Sequence, residues 1–186
     1  MAFNNIMQFA TATLTQQGAF KPDATVVEWG NQRFRYNEDW LNKCEQTSGR
    51  TLRKPTKFVW EYFEDLGFSD YLAIDINTEL RSIAMDLNFI LKDKYNYTTQ
   101  FDYVTNNGTG EHIFDQRTVF ENMHNLCRVG GTMINVFYHN DEWNCATRGN
   151  IGAKCKFFRD YPKTYRVLFL EAMTSVGLEF DMLIKD

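Results

Sequence analysis

The sequence predicts an α/β architecture: a mostly parallel sheet with helices on both faces. Two observations lead there. Short apolar runs alternate along the chain with stretches of helical period. The segment FDYVTNNGTGEHIFDQRTVFENMHNLCRVGGTMINVF, residues 101–137, also holds a complete strand–loop–helix–turn–strand unit, the building block of a parallel sheet. In such sheets ligands sit over the carboxyl ends of the strands, so the polar loop at 105–112 marks a candidate site as well as a fold.

Element by element, residues 5–17 place Ile6, Phe9, Ala10, Thr13 and Leu14 on one helical face, and Gly18 stops the pattern. This helix and the Pro22 turn make residues 1–22 an amino-terminal helical segment. Residues 24–29 read as a buried strand ending at Gly30. Residues 31–54 show neither strong period and read as an insertion, or lid, with a short helix near 39–45. Pro55 suits the first turn of a helix over 56–66, where its missing N–H costs nothing. A strand over 71–76, a short helix over 78–85, a strand over 101–105, a helix over 115–126 and a strand over 132–137 follow. After an irregular stretch at 138–160, a helix is expected over 164–176 and a last strand over 178–184. Right-handed crossovers between the strands are expected throughout.

Composition narrows the function classes. At 186 residues, 44% hydrophobic and 16% aromatic, the chain reads as one domain spanning 1–186 with a sizeable core. A formal charge of −4, with no basic patch interleaved with aromatics, argues against a nucleic-acid partner. The cysteines Cys44, Cys127, Cys145 and Cys155 form no CxxC pair, which points to a reduced, cytoplasmic protein. No start resembles a signal peptide, and no apolar run approaches the roughly 20 residues of a membrane span, so no membrane partner is expected. His139, Cys145 and Cys155 are of metal-ligating types, but their spacing fits no compact zinc pattern, and no metal site is expected.

The strand ends carry the chemistry. The first ends in VVEWG (26–30), the second in AIDIN (73–77), and the strand opening at Phe101 ends in VTNNG (104–108). A carboxylate at the second strand's end can accept from both hydroxyls of a ribose. A glycine after the first strand lets backbone approach a ligand. Between them, MDLN (85–88) sets an acid beside an apolar residue, suited to an adenine amino group and ring.

With these residues in place, the chain resembles the class I S-adenosylmethionine-dependent methyltransferases over about 24–137. The resemblance implies a Rossmann-like sheet and S-adenosylmethionine as cofactor. Glu28 and Gly30 match the family's first acid and glycine loop, Asp75 its ribose acid and Asp86 its adenine acid. Asn31, Ile76 and Leu87 complete the implied contacts, and Thr105, Asn106 and Asn107 fall beside the donor methyl. Two departures stand out. EWGNQRF supplies a single glycine where the family spaces several. The chain also offers one strand after its last expected helix, so the sheet is expected to lack the family's last strand, leaving an edge that a second copy can cover.

Glu111 and His112 lie just past the fourth family strand. A histidine with an ordinary pKa of about 6.5 can serve as general base and Glu111 can orient it. The competing reading is a helix start with its carboxylate near the amino-terminal dipole. Arg33, Arg35 and Tyr36, within an insertion rich in Lys and Arg, are candidate contacts to a small, anionic acceptor. The function implied is a methyltransferase acting on a small-molecule substrate. The alternative is a cofactor-binding or structural relative without turnover. A nicotinamide oxidoreductase is disfavoured because GxGxxG is missing after the first strand.

Overall fold

Apolar residues on both faces of the strands require cover on both sides, and the chain supplies it. The computed structural model describes residues 2–138, 165–169 and 178–185. Along these the strands are β1 (Ala2–Phe3), β2 (Thr25–Trp29), β3 (Arg33–Phe34), β4 (Asp70–Asp75), β5 (Ser82–Ala84), β6 (Phe101–Asn107), β7 (Cys127–Tyr138), β8 (Tyr165–Phe169) and β9 (Leu178–Lys185). The helices are α1 (Asn5–Gln16), α2 (Glu38–Ser48), α3 (Val59–Leu66), α4 (Leu91–Tyr95) and α5 (Gln116–Leu126), with a 3₁₀ turn at Gly110–His112.

The main sheet has the order β5-β4-β2-β6-β7-β9-β8. Strands β5, β4, β2, β6 and β7 run parallel, and β9 is antiparallel to both β7 and β8. Strands β1 and β3 form a separate parallel pair. On one face, Val26, Tyr71, Ala73, Tyr103 and Ile134 pack with α1, α2 and α3; on the other, Val27, Trp29, Ile74, Val104 and Met133 pack with α4 and α5. Adjacent strand residues go to opposite layers, as the pleat requires.

Phe63 anchors the first layer. Its ring lies 5.4 Å from Phe3, 5.1 Å from Phe68, 5.7 Å from Tyr71 and 6.0 Å from Tyr103, measured between centroids. Stacked, tilted and edge-on rings at such spacings add about 0.5–1.5 kcal/mol per pair beyond their buried area. At the amino-terminal end of the sheet, Asp102 takes the Thr25 backbone N–H at 2.9 Å, Lys21 at 2.8 Å and Arg128 at 2.8 Å. Partial burial pushes its carboxyl up, but Lys21, Thr25 and Arg128 outweigh that and hold it at about 2. Asp102 is thus a clamp at the strand start, at the opposite end of β6 from the candidate loop.

Several expected elements are corrected. The helix expected over 56–66 begins at Val59: Glu61 accepts the Lys57 and Phe58 backbone N–H groups at 2.7 and 3.0 Å, so Pro55 lies before it rather than in its first turn. Residues 78–85 form a turn and β5 instead of a helix. There Asn77 Oδ1 accepts the Glu79 N–H and Ser82 Oγ donates to the Asn77 carbonyl, and such bonds compete with helix formation. Strand β6 continues through Asn107, so 105–107 are strand and not loop. The expected turn at Gly130–Gly131 is a bulge inside β7, between the Phe101–Cys127 and Tyr103–Thr132 pairs. Residues 165–169 of the expected helix at 164–176 are β8, while 170–176 and most of 138–160 lie outside the described residues. The last strand is therefore not missing: β8 covers β9, and the reason given for a second copy on that edge disappears.

Replacing Phe63 by alanine is expected to destabilise the fold by about 3–5 kcal/mol, the range for large aromatic truncations in cores. Urea unfolding of Phe63→Ala against wild type checks it.

Candidate active site

The order of the strands creates the site. From β2 the chain moves outward through β4 and β5, then crosses back to β6 and β7 on the other side. Loops leaving β2 and β6 diverge, and a crevice opens at their carboxyl ends. A cleft of about 370 Å³ lies there, lined by Gly30, Asn31, Gln32, Asp75, Ile76, Asp86, Leu87, Asn88, Thr109, His112 and Ile113. Its size falls within the range of small-molecule pockets, about 300–1,000 Å³.

Gly30 forms the turn out of β2 at φ +75°, and its N–H donates to the Ile74 carbonyl at 2.8 Å. A Cβ there would collide with the Thr109 hydroxyl and come within 3.3 Å of the Gln32 amide, so only glycine fits. Thr109 Oγ1 donates to the Trp29 carbonyl at 2.7 Å and accepts from Gln32 Nε2 at 3.2 Å. The loops after β2 and β6 are thereby joined across the crevice. Gln32 is 3% exposed, and its Oε1 has no partner among the described residues. The backbone N–H of Asn31 donates to Asp75 Oδ2 at 2.8 Å, tying the first loop to the end of β4.

Asp86 stands on the far wall. Its Oδ1 accepts from the Asn88 backbone at 2.9 Å and side chain at 2.8 Å, and its own N–H donates to Tyr95 Oη at 2.9 Å. Ile76 is 83% exposed at the rim, while Leu87 is buried. The wall thus offers apolar surface beside carboxylates. No lining residue is Lys or Arg.

Of the expected cofactor contacts, the cleft brings together Gly30, Asn31, Asp75, Ile76, Asp86 and Leu87. Glu28 is elsewhere: it is fully buried, with the Tyr71 hydroxyl donating to Oε2 at 2.6 Å. Burial raises its carboxyl from 4.5 to about 8, against the opposing pull of Tyr71 and the Gln32 backbone. Thr105, Asn106 and Asn107 are buried in β6 and do not line the cleft. Asn106 Oδ1 caps the following turn, accepting from Thr109 and Gly110 at 3.2 and 2.8 Å, and its Nδ2 donates to Asn135. Asn107 holds the chain start, donating to the Ala2 carbonyl at 2.7 Å. The mouth expected at 105–107 is formed by Thr109 and His112 instead.

Glu111 and His112 separate. The His112 side chain is 41% exposed and lines the cleft, whereas Glu111 is buried. Their 3.7 Å contact is an ion pair when the imidazole is protonated and too long for an orienting hydrogen bond. Arg33, Arg35 and Tyr36 are exposed and do not line the cleft. The cations of the insertion have other tasks: Arg53 pairs with Asp65 at 2.7 Å, Lys54 with Glu45 at 2.6 Å, and Lys43 lies over Phe9 and Trp40. Gln32, Asn88, Thr109 and Ile113 complete the lining beyond the sequence expectation. His139, Cys145 and Cys155 lie outside the described residues.

Comparison with known proteins bears on the fold. No family model and no curated protein sequence matches the chain. Solved structures do. One is DszA carbon methyltransferase, with a TM-score of 0.59 at 9% identity over 98% of this chain and 53% of that one. A second is the trans-methyltransferase CalH in complex with SAH, with a TM-score of 0.56 at 12% identity over 94% of this chain and 54% of that one. A third, an S-adenosylmethionine dependent methyltransferase from Mesorhizobium loti, reaches a TM-score of 0.55 at 9% identity over 91% and 95% of the two chains. The fold is that of the S-adenosylmethionine-dependent methyltransferases. The chain spans about half the length of the first two, and β8, paired with β9, supplies the strand that the sheet was expected to lack.

The buried acid beside this site gives a pH prediction. Glu28 has a raised folded pKa, so its contribution is fully present below 4.5 and is lost as pH climbs through about 8. Glu28→Gln removes that loss. The variant is expected to gain stability over wild type between pH 5 and 8, by roughly 3 kcal/mol at pH 7, with the gap closing near pH 4. Denaturant titrations across pH measure it.

Proposed function

We propose that the chain is an S-adenosylmethionine-dependent methyltransferase acting on a small molecule. One observation carries this reading: the cleft presents Asp75 and Asp86 from neighbouring strand ends, with apolar surface between them and no Lys or Arg lining it. That set suits a ligand with hydroxyls, an exocyclic amine and a positive centre, and it repels a pyrophosphate. An adenosyl sulfonium has those features without a pyrophosphate, which a dinucleotide carries. The same charge favours a neutral or cationic acceptor over an anionic one.

The residues present fit the methyl donor. Asp75 accepts from the ribose, Asp86 takes the adenine amino group, Ile76 and Leu87 flank the ring, and Gly30 leaves room for close backbone approach. The bound cofactor supplies an electrophilic methyl group. The chain's part is to hold the acceptor in line with it and to exclude water, which can lower the barrier by about 7–11 kcal/mol when geometry is good. His112, at the mouth, receives the proton that the acceptor sheds.

A second reading has its own support. Thr109 and Gln32 crowd Gly30 where the sequence lacks further glycines, which favours a protein that binds the cofactor without turnover. S-adenosylhomocysteine binding together with methyl transfer to some acceptor in a small-molecule panel supports the enzyme. Binding without transfer to any acceptor selects the second reading.

Calorimetry is expected to show S-adenosylhomocysteine binding and no NADH binding; the reverse would sink the proposal. Asp75→Ala is expected to weaken S-adenosylhomocysteine by about 1–3 kcal/mol, the range for a lost charged hydrogen bond. His112→Ala is expected to lower turnover about 10²–10⁴-fold at unchanged affinity for S-adenosylhomocysteine. Full turnover in that variant would return His112 to a turn residue.

A further inference from the structure

Asp75 offers a ligand fewer positions than a free carboxylate does. Its Oδ1 accepts the Ile76 backbone N–H at 2.7 Å and the Asn77 Nδ2 at 3.1 Å, and its Oδ2 accepts the Asn31 backbone N–H at 2.8 Å. An ionised carboxylate presents about four lone-pair positions, two on each oxygen. Oδ1 is therefore filled from the protein and Oδ2 keeps one position. The expectation that Asp75 holds both ribose hydroxyls does not survive this count.

Two of the three groups bonded to Asp75 are backbone amides, fixed by the end of β4 and the loop after β2. Asn77 is the third and the only side chain. Its amide cannot simply turn over. Asn77 Oδ1 accepts Asn31 Nδ2 at 2.5 Å and the Glu79 N–H at 2.9 Å, which leaves Nδ2 for Asp75. Reversal would set the amide oxygen against the carboxylate and face NH₂ with two N–H groups.

We propose that Asn77 is a specificity-determining residue: by occupying Oδ1 of Asp75 it confines ribose recognition to a single hydroxyl, accepted by Oδ2. The inference rests on reading the cleft as an adenosyl site. Asn77 acts through Asp75 and has no part in the transfer itself. Asn77→Ser separates this role from turn stability, because a serine hydroxyl still reaches the Glu79 N–H but cannot span to Asp75.

The test is calorimetry on the full chain with S-adenosylhomocysteine, adenosine, 2′-deoxyadenosine and 3′-deoxyadenosine. In the wild type, loss of one hydroxyl is expected to weaken binding about tenfold or more, and loss of the other by less than about twofold. In Asn77→Ser, with one position on Oδ1 released beside the Ile76 N–H, both deoxy analogues are expected to bind about tenfold or more worse than adenosine. Asn77→Ala is the second variant and carries the same expectation should the first not fold. Equal losses for the two analogues in the wild type overturn the proposal. So does a variant that shifts all affinities together and leaves their ratios unchanged, as a purely structural residue would. A wild type that binds neither S-adenosylhomocysteine nor adenosine overturns the adenosyl reading, and this assignment with it.

Discussion

The crossing of the chain from one side of β2 to the other is the constraint from which the site follows. Strands β4 and β5 lie on one flank and β6 and β7 on the other, so the loops leaving β2 and β6 turn away from each other. The gap between them is bridged at few points. Thr109 Oγ1 reaches the Trp29 carbonyl across it, while Asn31 N–H ties the loop after β2 to Asp75 on the other flank. The Thr109 contact depends on Gly30, because a side chain there would collide with the Thr109 hydroxyl. Backbone geometry at one glycine thus permits the contact across the gap.

Charge is distributed with the same logic. Acids near the sheet divide by environment. Asp102, at the amino-terminal end of β6, is neutralised by Lys21 and Arg128 and serves as a clamp. Glu28, buried within β2, has its carboxyl raised to about 8 and so adds no charge beneath the cleft at neutral pH. Asp75 and Asp86 face the cleft with backbone and amide partners but no cation. Among the described residues these are the carboxylates that line the cleft.

Most of this arrangement could be read from residues, and the exceptions have physical causes. The ends of β2 and β4, the Gly30 turn, and the placing of Asp75 and Asp86 beside it are local patterns, and the cleft brings these residues together. Asn106 and Asn107 read as loop because asparagine is rare in strands, yet each side chain is satisfied by a distant partner, Asn135 or Ala2, that no local window contains. Residues 78–85 carried a helical period that Asn77 and Ser82 overrode through bonds to nearby backbone. That Arg53 and Lys54 pair with Asp65 and Glu45 is not legible in the insertion's composition, because ion pairing depends on which elements meet. Thr109 lies in the polar loop that marks the site and Gln32 follows the single glycine, but no local pattern shows that the two meet at Gly30. Their part follows from the lack of a Cβ on Gly30.

A crystal structure of the chain soaked with S-adenosylhomocysteine tests the central claim most directly. The account predicts the adenosyl group between Ile76 and Leu87, a ribose hydroxyl on Asp75 Oδ2 and the adenine amino group toward Asp86. Ligand density elsewhere on the molecule, or an empty cleft at saturating ligand, would contradict it.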